Sequence, residues 1–107
     1  MADPLGNLEI LVLLAIHHCG EEAYGVAIRS EIEERTGRFI SVGALYETLH
    51  RLERKDYVRS RTGEPRAERG GRARRYYEVS FLGSAALHET TDNLLRMLGM
   101  KSNEELA

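Results

Sequence analysis

Apolar residues recur along this chain in four helix-spaced groups, with strand-like alternation between the third and the fourth. From about Leu5 to Cys19 they cover nearly the whole circumference of a helix: Leu8, Leu11, Val12, Ala15 and Ile16 on one side, Ile10, Leu13 and Leu14 over the rest. A helix that is apolar nearly all round is buried on more than one face. In so short a chain, one of those faces is expected to meet a second subunit. Gly20 supplies the stop. A second, amphipathic helix is predicted over Tyr24–Thr36, ending at Gly37, with Tyr24, Ile28, Ile32 and Arg35 at near-helical spacing and Arg29, Glu31, Glu33 and Glu34 outward. Ser41 is a good N-cap for a third helix running to about Lys55. Leu45, Leu49 and Leu52 give it a narrow apolar seam, and Gly43, Tyr46, Glu47, His50, Arg51 and Arg54 make up the opposite face.

After Asp56 the period changes. Tyr57 to Thr62 alternates and is bounded by Gly63, which reads as a strand, and Arg74 to Ser80 reads as its partner. The connection, with Pro65 and the pair Gly70-Gly71, is a turn-rich tip. Ser80 can cap a last helix over about Phe81–Leu98, stopped by Gly99, with Leu87, Leu94 and Leu98 as its stripe. The expected fold class is mainly α with a small β-ribbon (α+β). Three units are expected: residues 1–80 as one packed domain, 81–100 as a helix free to pair with a second subunit, and 101–107 as a flexible acidic tail.

Charge sharpens this reading. The 107 residues carry a formal net charge of −2, but residues 51–76 hold ten Arg and Lys against four acids, leaving the remainder at −8. A concentrated basic segment attracts a polyanion, and the acidic remainder limits unspecific adhesion. The longest apolar run, Ile10 to Ile16, is far shorter than the ~20 residues of a membrane span. Neither a membrane partner nor a leader peptide is expected. Cys19 is the single cysteine, so no internal disulfide forms, in keeping with a reducing cytoplasm.

Helix, helix, capped helix and a basic ribbon, in that order, make a winged helix-turn-helix, a DNA-binding arrangement. The wording of the sequence agrees with the layout. Residues 5–16, 23–28, 32–37, 41–53 and 69–80 resemble the PadR-like family of transcriptional regulators, above all in Gly43-Ala-Leu-Tyr-Glu-Thr-Leu-His-Arg-Leu-Glu53 and Gly70-Gly-Arg-Ala-Arg-Arg-Tyr-Tyr77. The resemblance implies a winged-helix repressor that binds double-stranded DNA as a homodimer, the C-terminal helix packed against the first. Carried over by position, it implies a DNA-facing set of Ser41, Gly43, Tyr46 and His50 on the third helix and Arg69, Arg72 and Arg74 in the wing. Arg51 joins them as a candidate for base edges or phosphates. The expected dimer interface comprises Leu8, Val12 and Ala15 of the first helix and Leu87, Leu94 and Leu98 of the last.

The sequence departs from the family pattern at two points. Asp56 stands where the family usually has Gly, and Asp tolerates a left-handed turn. Glu47 follows Tyr46 where Pro or Thr is common, and either accepts from a cytosine amine or points away from the DNA.

Among enzymatic signatures there is no phosphate-binding loop, nucleophile elbow, paired His-Glu helix or Cys-x-x-Cys. Catalysis, a metal and a cofactor are therefore not expected. His17 and His18 precede Cys19, but helix neighbours point about 100° apart and do not share a metal. The rival reading is a winged helix that docks an acidic protein. The first and last helices also offer more apolar surface than one core uses. Dimer packing uses it, and a small apolar ligand at the interface is its second use, although without Trp there is no tryptophan-lined cavity.

Overall fold

The computed structural model describes residues 5–65 and 73–101. Four helices and a two-stranded ribbon follow in the order α1 (Asn7–Cys19), α2 (Gly25–Thr36), α3 (Val42–Arg54), β1 (Val58–Pro65), β2 (Ala73–Val79) and α4 (Phe81–Met97), with a 3-10 turn at Gly20–Glu22 after α1. The fold is the mainly helical winged helix expected, with one antiparallel sheet.

The core forms where α1, α2 and α3 cross. Val12, Leu13 and Ile16 of α1 meet Ile28 and Ile32 of α2 and the α3 seam Leu45, Leu49 and Leu52, all buried. Deleting any of these large side chains would cost about 2–5 kcal/mol, through lost transfer energy and the cavity left behind. Two residues of the expected dimer interface belong to this core. Val12 is 0% exposed and Ala15 3% within a single subunit. Both are packed within the subunit's own core.

Caps fix the ends of the helices. Ser41 Oγ accepts from the Ala44 amide at 3.1 Å, and Gly37 ends α2 in the left-handed region. Ile40, just before the cap, fills the gap between α2 and α3, whereas Phe39 lies exposed beneath the Arg29 guanidinium, 5.2 Å from its ring centre. Arg29 does not simply point outward, as its place in the helical period predicts. It bends over the turn and donates to the Ile40 carbonyl at 3.0 Å.

β1 starts one residue later than predicted and runs past Gly63. Tyr57 is excluded because its amide donates to the Leu52 carbonyl at 2.9 Å, finishing the turn after α3. At the head of that turn Asp56 has φ 62°, the left-handed conformation allowed for by its residue type. Gly63 does not end the strand because it makes room for its neighbour across the ribbon: a Cβ there would lie 2.5 Å from the Tyr76 ring. Pairing runs from Val58↔Val79 to Thr62↔Arg75, with an irregularity before Pro65↔Ala73.

Ser80 joins ribbon to last helix. Its Oγ accepts from the Gly83 amide at 3.0 Å and donates to the Asp56 carbonyl at 2.6 Å. Gly83 then crosses Tyr57 so closely that a Cβ would meet its carbonyl oxygen at 2.1 Å. Beyond Ala86 and the half-buried Leu87 the helix leaves the core: Leu94, Met97 and Leu98 are exposed. No helix among the described residues is long and apolar enough to cross a membrane. Of the expected tail, residues 102–107 lie outside the described residues.

Candidate nucleic-acid interface

The site is built on the face of α3 opposite its buried seam. Ser41, Gly43, Tyr46 and His50 are all exposed there. Ser41 spends its hydroxyl on the cap. Gly43 has no packing reason to be glycine, since the nearest atom to a methyl placed on it would be Ser41 Oγ at 4.0 Å. Tyr46 is half-exposed and lays its hydroxyl against the start of α2, where a Cβ on Gly25 would come within 2.3 Å of it. Gly25 thus fixes how far the tyrosine can swing in.

Arg51 is placed differently. Its guanidinium donates to Glu47 Oε1 at 3.0 Å and Thr48 Oγ1 at 3.3 Å, and its Nε lies 3.9 Å from Glu9 Oε2. It lies along the helix and back toward α1, on the edge of the exposed face. Glu47 has its charge paired by this arginine, which offsets the repulsion a lone carboxylate would exert on phosphate.

The ribbon is tied to the residue pair that precedes α2. The Tyr77 amide donates to the Ala23 carbonyl at 2.8 Å, and Tyr24 bridges to Tyr76. A ladder of cations and rings follows. The Arg74 guanidinium sits 4.0 Å above the Tyr24 ring, Tyr24 meets Tyr76 edge-on at 5.8 Å, and Arg61 stands 4.6 Å above Tyr76. Each cation–ring pair contributes about 0.5–1 kcal/mol at such exposed positions. The consequence is geometric: Arg74, on the ribbon, and Tyr46, on α3, both converge on the N-terminus of α2. The other face of β2 points inward, with Tyr77 buried and its hydroxyl pKa pushed up by that burial, while Arg75 reaches Glu53 at 3.8 Å. Arg69 and Arg72 lie outside the described residues.

Sequence reasoning missed Glu9. It is 4% exposed, receives the Gly6 amide at 2.8 Å and the Lys55 ammonium at 2.9 Å, and so ties α1 to the end of α3. Burial works to raise its pKa, but the Gly6 amide, Lys55 and Arg51 together hold it below the ordinary carboxylate range. One acid within an otherwise apolar helix was the available signal, since a buried charge requires a partner. Tyr24 was missed as well: it is the residue before α2 and not part of its stripe.

Other candidate chemistry is quiet. Burial and then Glu31 push the Cys19 thiol up, which disfavours the reactive thiolate. The rings of His17 and His18 meet edge-on at 5.6 Å, and the described residues contain no group of three metal-ligating side chains.

Comparison with known proteins agrees with this geometry. The sequence model of the transcriptional regulator PadR-like family matches residues 12–89. The chain is 41% identical over 75 residues to the transcriptional regulator Rv3488 of Mycobacterium tuberculosis, covering 69% of this chain and 65% of that protein. It is 33% identical over 86 residues to an uncharacterized protein of Lysinibacillus sphaericus, covering 78% of this chain and 74% of that one. Among solved structures, a PadR family transcription regulator from Clostridium difficile superposes with a TM-score of 0.70 at 26% identity, over 88% of this chain and 92% of that one. A PadR-like transcription factor from Bacteroides fragilis shares the fold, with a TM-score of 0.73 at 24% identity over 86% and 84% of the two chains. With a family match across most of its length and a winged-helix fold to go with it, the chain belongs to the PadR-like family of transcriptional regulators.

Proposed function

We propose that this regulator is a homodimeric repressor, acting in the cytoplasm by occupying a pseudo-palindromic operator in double-stranded DNA. The observation that carries the reading is the convergence of two separate elements on one surface: the exposed face of α3, with Gly43 open to solvent, and Arg74 of the ribbon. In this reading α3 enters the major groove through Ser41, Gly43, Tyr46 and His50. Arg51 serves phosphates at the groove edge, and the wing, with Arg69, Arg72 and Arg74, grips the flanking backbone. The two copies of α3 would lie about one helical turn of DNA apart.

The dimer reading is supported by how little of α4 its own subunit covers. Gly83 and Ala86 are buried, whereas Leu94 and Leu98 are exposed and Leu8 and Leu87 only partly covered. These four leucines form the proposed contact between subunits, with a small apolar ligand as an additional occupant of the same interface. A close-packed interface in a crystal of the dimer would remove the ligand from the reading.

Sedimentation equilibrium together with DNA titration at two salt concentrations tests the function. The expected result is a dimer that prefers one duplex and whose log affinity falls with log salt by about 0.9 per phosphate neutralised. A monomer, or binding indifferent to salt, would overturn the reading in favour of a module that docks an acidic protein.

A further inference from the structure

Among the described residues three arginines lie over aromatic rings, and they are not equivalent. Arg29, over Phe39, also donates to the Ile40 carbonyl, and Arg61, over Tyr76, donates to the Glu21 carbonyl at 3.4 Å. Arg74, 4.0 Å from the centre of the Tyr24 ring, makes no hydrogen bond or ion pair among the described residues. A ring engages the flat face of a guanidinium and leaves the N–H donors, which point outward in its plane, open to a second partner. Stacked on Tyr24, Arg74 is held without being used up.

Tyr24 is itself firmly placed. Its amide donates to the Glu22 carbonyl at 3.0 Å, and its carbonyl accepts from the Ile28 amide at 2.9 Å. Beside it the buried Ala23 takes the Tyr77 amide, and Tyr76 meets the Tyr24 ring edge-on at 5.8 Å. The ring therefore belongs to the helical body, as the residue before α2, whereas the arginine belongs to the ribbon. A two-stranded ribbon is marginally stable by itself, and an arginine gives up much rotamer freedom when it is held. The direction of the Arg74 side chain relative to α3 is thus set by the body, through this ring.

We propose that Tyr24 is a positioning residue for DNA binding, whose ring orients the Arg74 guanidinium toward a backbone phosphate beside the groove that α3 enters. The inference rests on the DNA-binding reading above and gives that site a residue outside both α3 and the wing. Tyr24 acts through Arg74: it orders, before the encounter, a side chain that binding would otherwise have to order. An exposed cation–ring pair corresponds to about two- to fivefold in affinity per subunit, hence roughly four- to twenty-five-fold for a symmetric pair.

The test replaces residue 24 of the full-length protein by a series of phenylalanines carrying successively more ring fluorines. Fluorine draws electron density from the ring face and weakens its hold on a cation, with almost no change of shape, so the fold is kept. Each member is made with Arg74 in place and with Arg74→Ala, and affinity for a duplex selected from a random pool is measured by fluorescence anisotropy over a range of salt. With Arg74 present, affinity is expected to fall stepwise with fluorination, by up to roughly four- to twenty-five-fold. With Arg74→Ala the series is expected to be flat, and that substitution alone should reduce the log–log salt slope by about 0.9 per subunit. A flat series with Arg74 present overturns the inference, as does an equal fall without it, because the ring then acts on something other than this arginine. An Arg74→Ala protein with unaltered affinity and slope also overturns it, and leaves the α3 part of the DNA-binding reading standing. Salt-indifferent binding by the unmodified protein overturns both readings together.

Discussion

Three glycines inside or at the start of helices show how differently one residue type is used. Gly83 and Gly25 are demanded by packing, since a Cβ would meet the Tyr57 carbonyl at 2.1 Å or the Tyr46 hydroxyl at 2.3 Å. Gly43 meets nothing nearer than 4.0 Å. Glycine inside a helix costs about 0.5–1 kcal/mol relative to alanine, so the chain bears a cost at residue 43 that its own fold does not require. The proposed approach of this face to DNA supplies a reason outside the subunit. Gly43→Ala is expected to raise stability by about 0.5–1 kcal/mol in thermal melts. It is also expected to weaken operator binding about tenfold, from about 1–3 kcal/mol of overpacking against the groove. A variant that is stabilised and binds DNA normally would show that this face of the helix does not approach a ligand.

Between elements, the contact to watch is the one that joins α1 to α3. Glu9 receives Lys55 Nζ at 2.9 and 3.1 Å, and through Lys55 and Arg51 the C-terminal end of the recognition helix is fixed to the helix that underlies it. Its pKa is held below that of a free glutamate, so ionised Glu9 favours the folded state. That contribution is fully present above the unfolded-state value of about 4.3 and is lost as the pH falls through the lower folded-state value. Glu9→Gln is expected to cost about 2 kcal/mol at pH 7, because it removes the buried anion that faces a half-covered ammonium. The difference from the unmodified protein should shrink below about pH 4, as urea melts at several pH values would register. A constant difference across that range would mean that packing and not charge holds the two helices together.

At the scale of the whole molecule, the basic ribbon and the apolar end of α4 divide the labour. The ribbon is held to the body by the Tyr24–Tyr76 bridge and the Ala23 carbonyl. The α4 helix is anchored near its start, by the Ser80 cap, the close crossing at Gly83 and the buried Ala86, while its far end stands clear of the core. Placing a charge on each of two exposed leucines there, Leu94→Glu with Leu98→Glu, should leave the subunit's fold intact, since neither side chain is buried within it. Sedimentation should then report a monomer. Operator affinity should fall by orders of magnitude as the second half-site is lost, and weak salt-sensitive binding to any duplex should persist. An unaltered dimer would place the subunit contact elsewhere.

Residue order alone determined the elements and their caps. Leu45, Leu49 and Leu52 announced the seam of α3, Ser41 and Ser80 announced the helix starts, and Asp56 announced the left-handed turn. These are local properties, set by helical period, by a side-chain oxygen within reach of its own backbone, and by the φ a residue tolerates. The position of the α3 face was legible for the same reason, because a buried seam fixes its opposite. Partners distant along the chain were decided by tertiary structure. It buried Val12 and Ala15 that the all-round apolar pattern of α1 left available, and brought Lys55 to Glu9 across 46 residues. It also set Arg74 over Tyr24 and carried β1 past Gly63 to lie beneath Tyr76. A sequence period says which face of an element is apolar; only packing decides which neighbour covers it, because that depends on the angles at which whole elements cross.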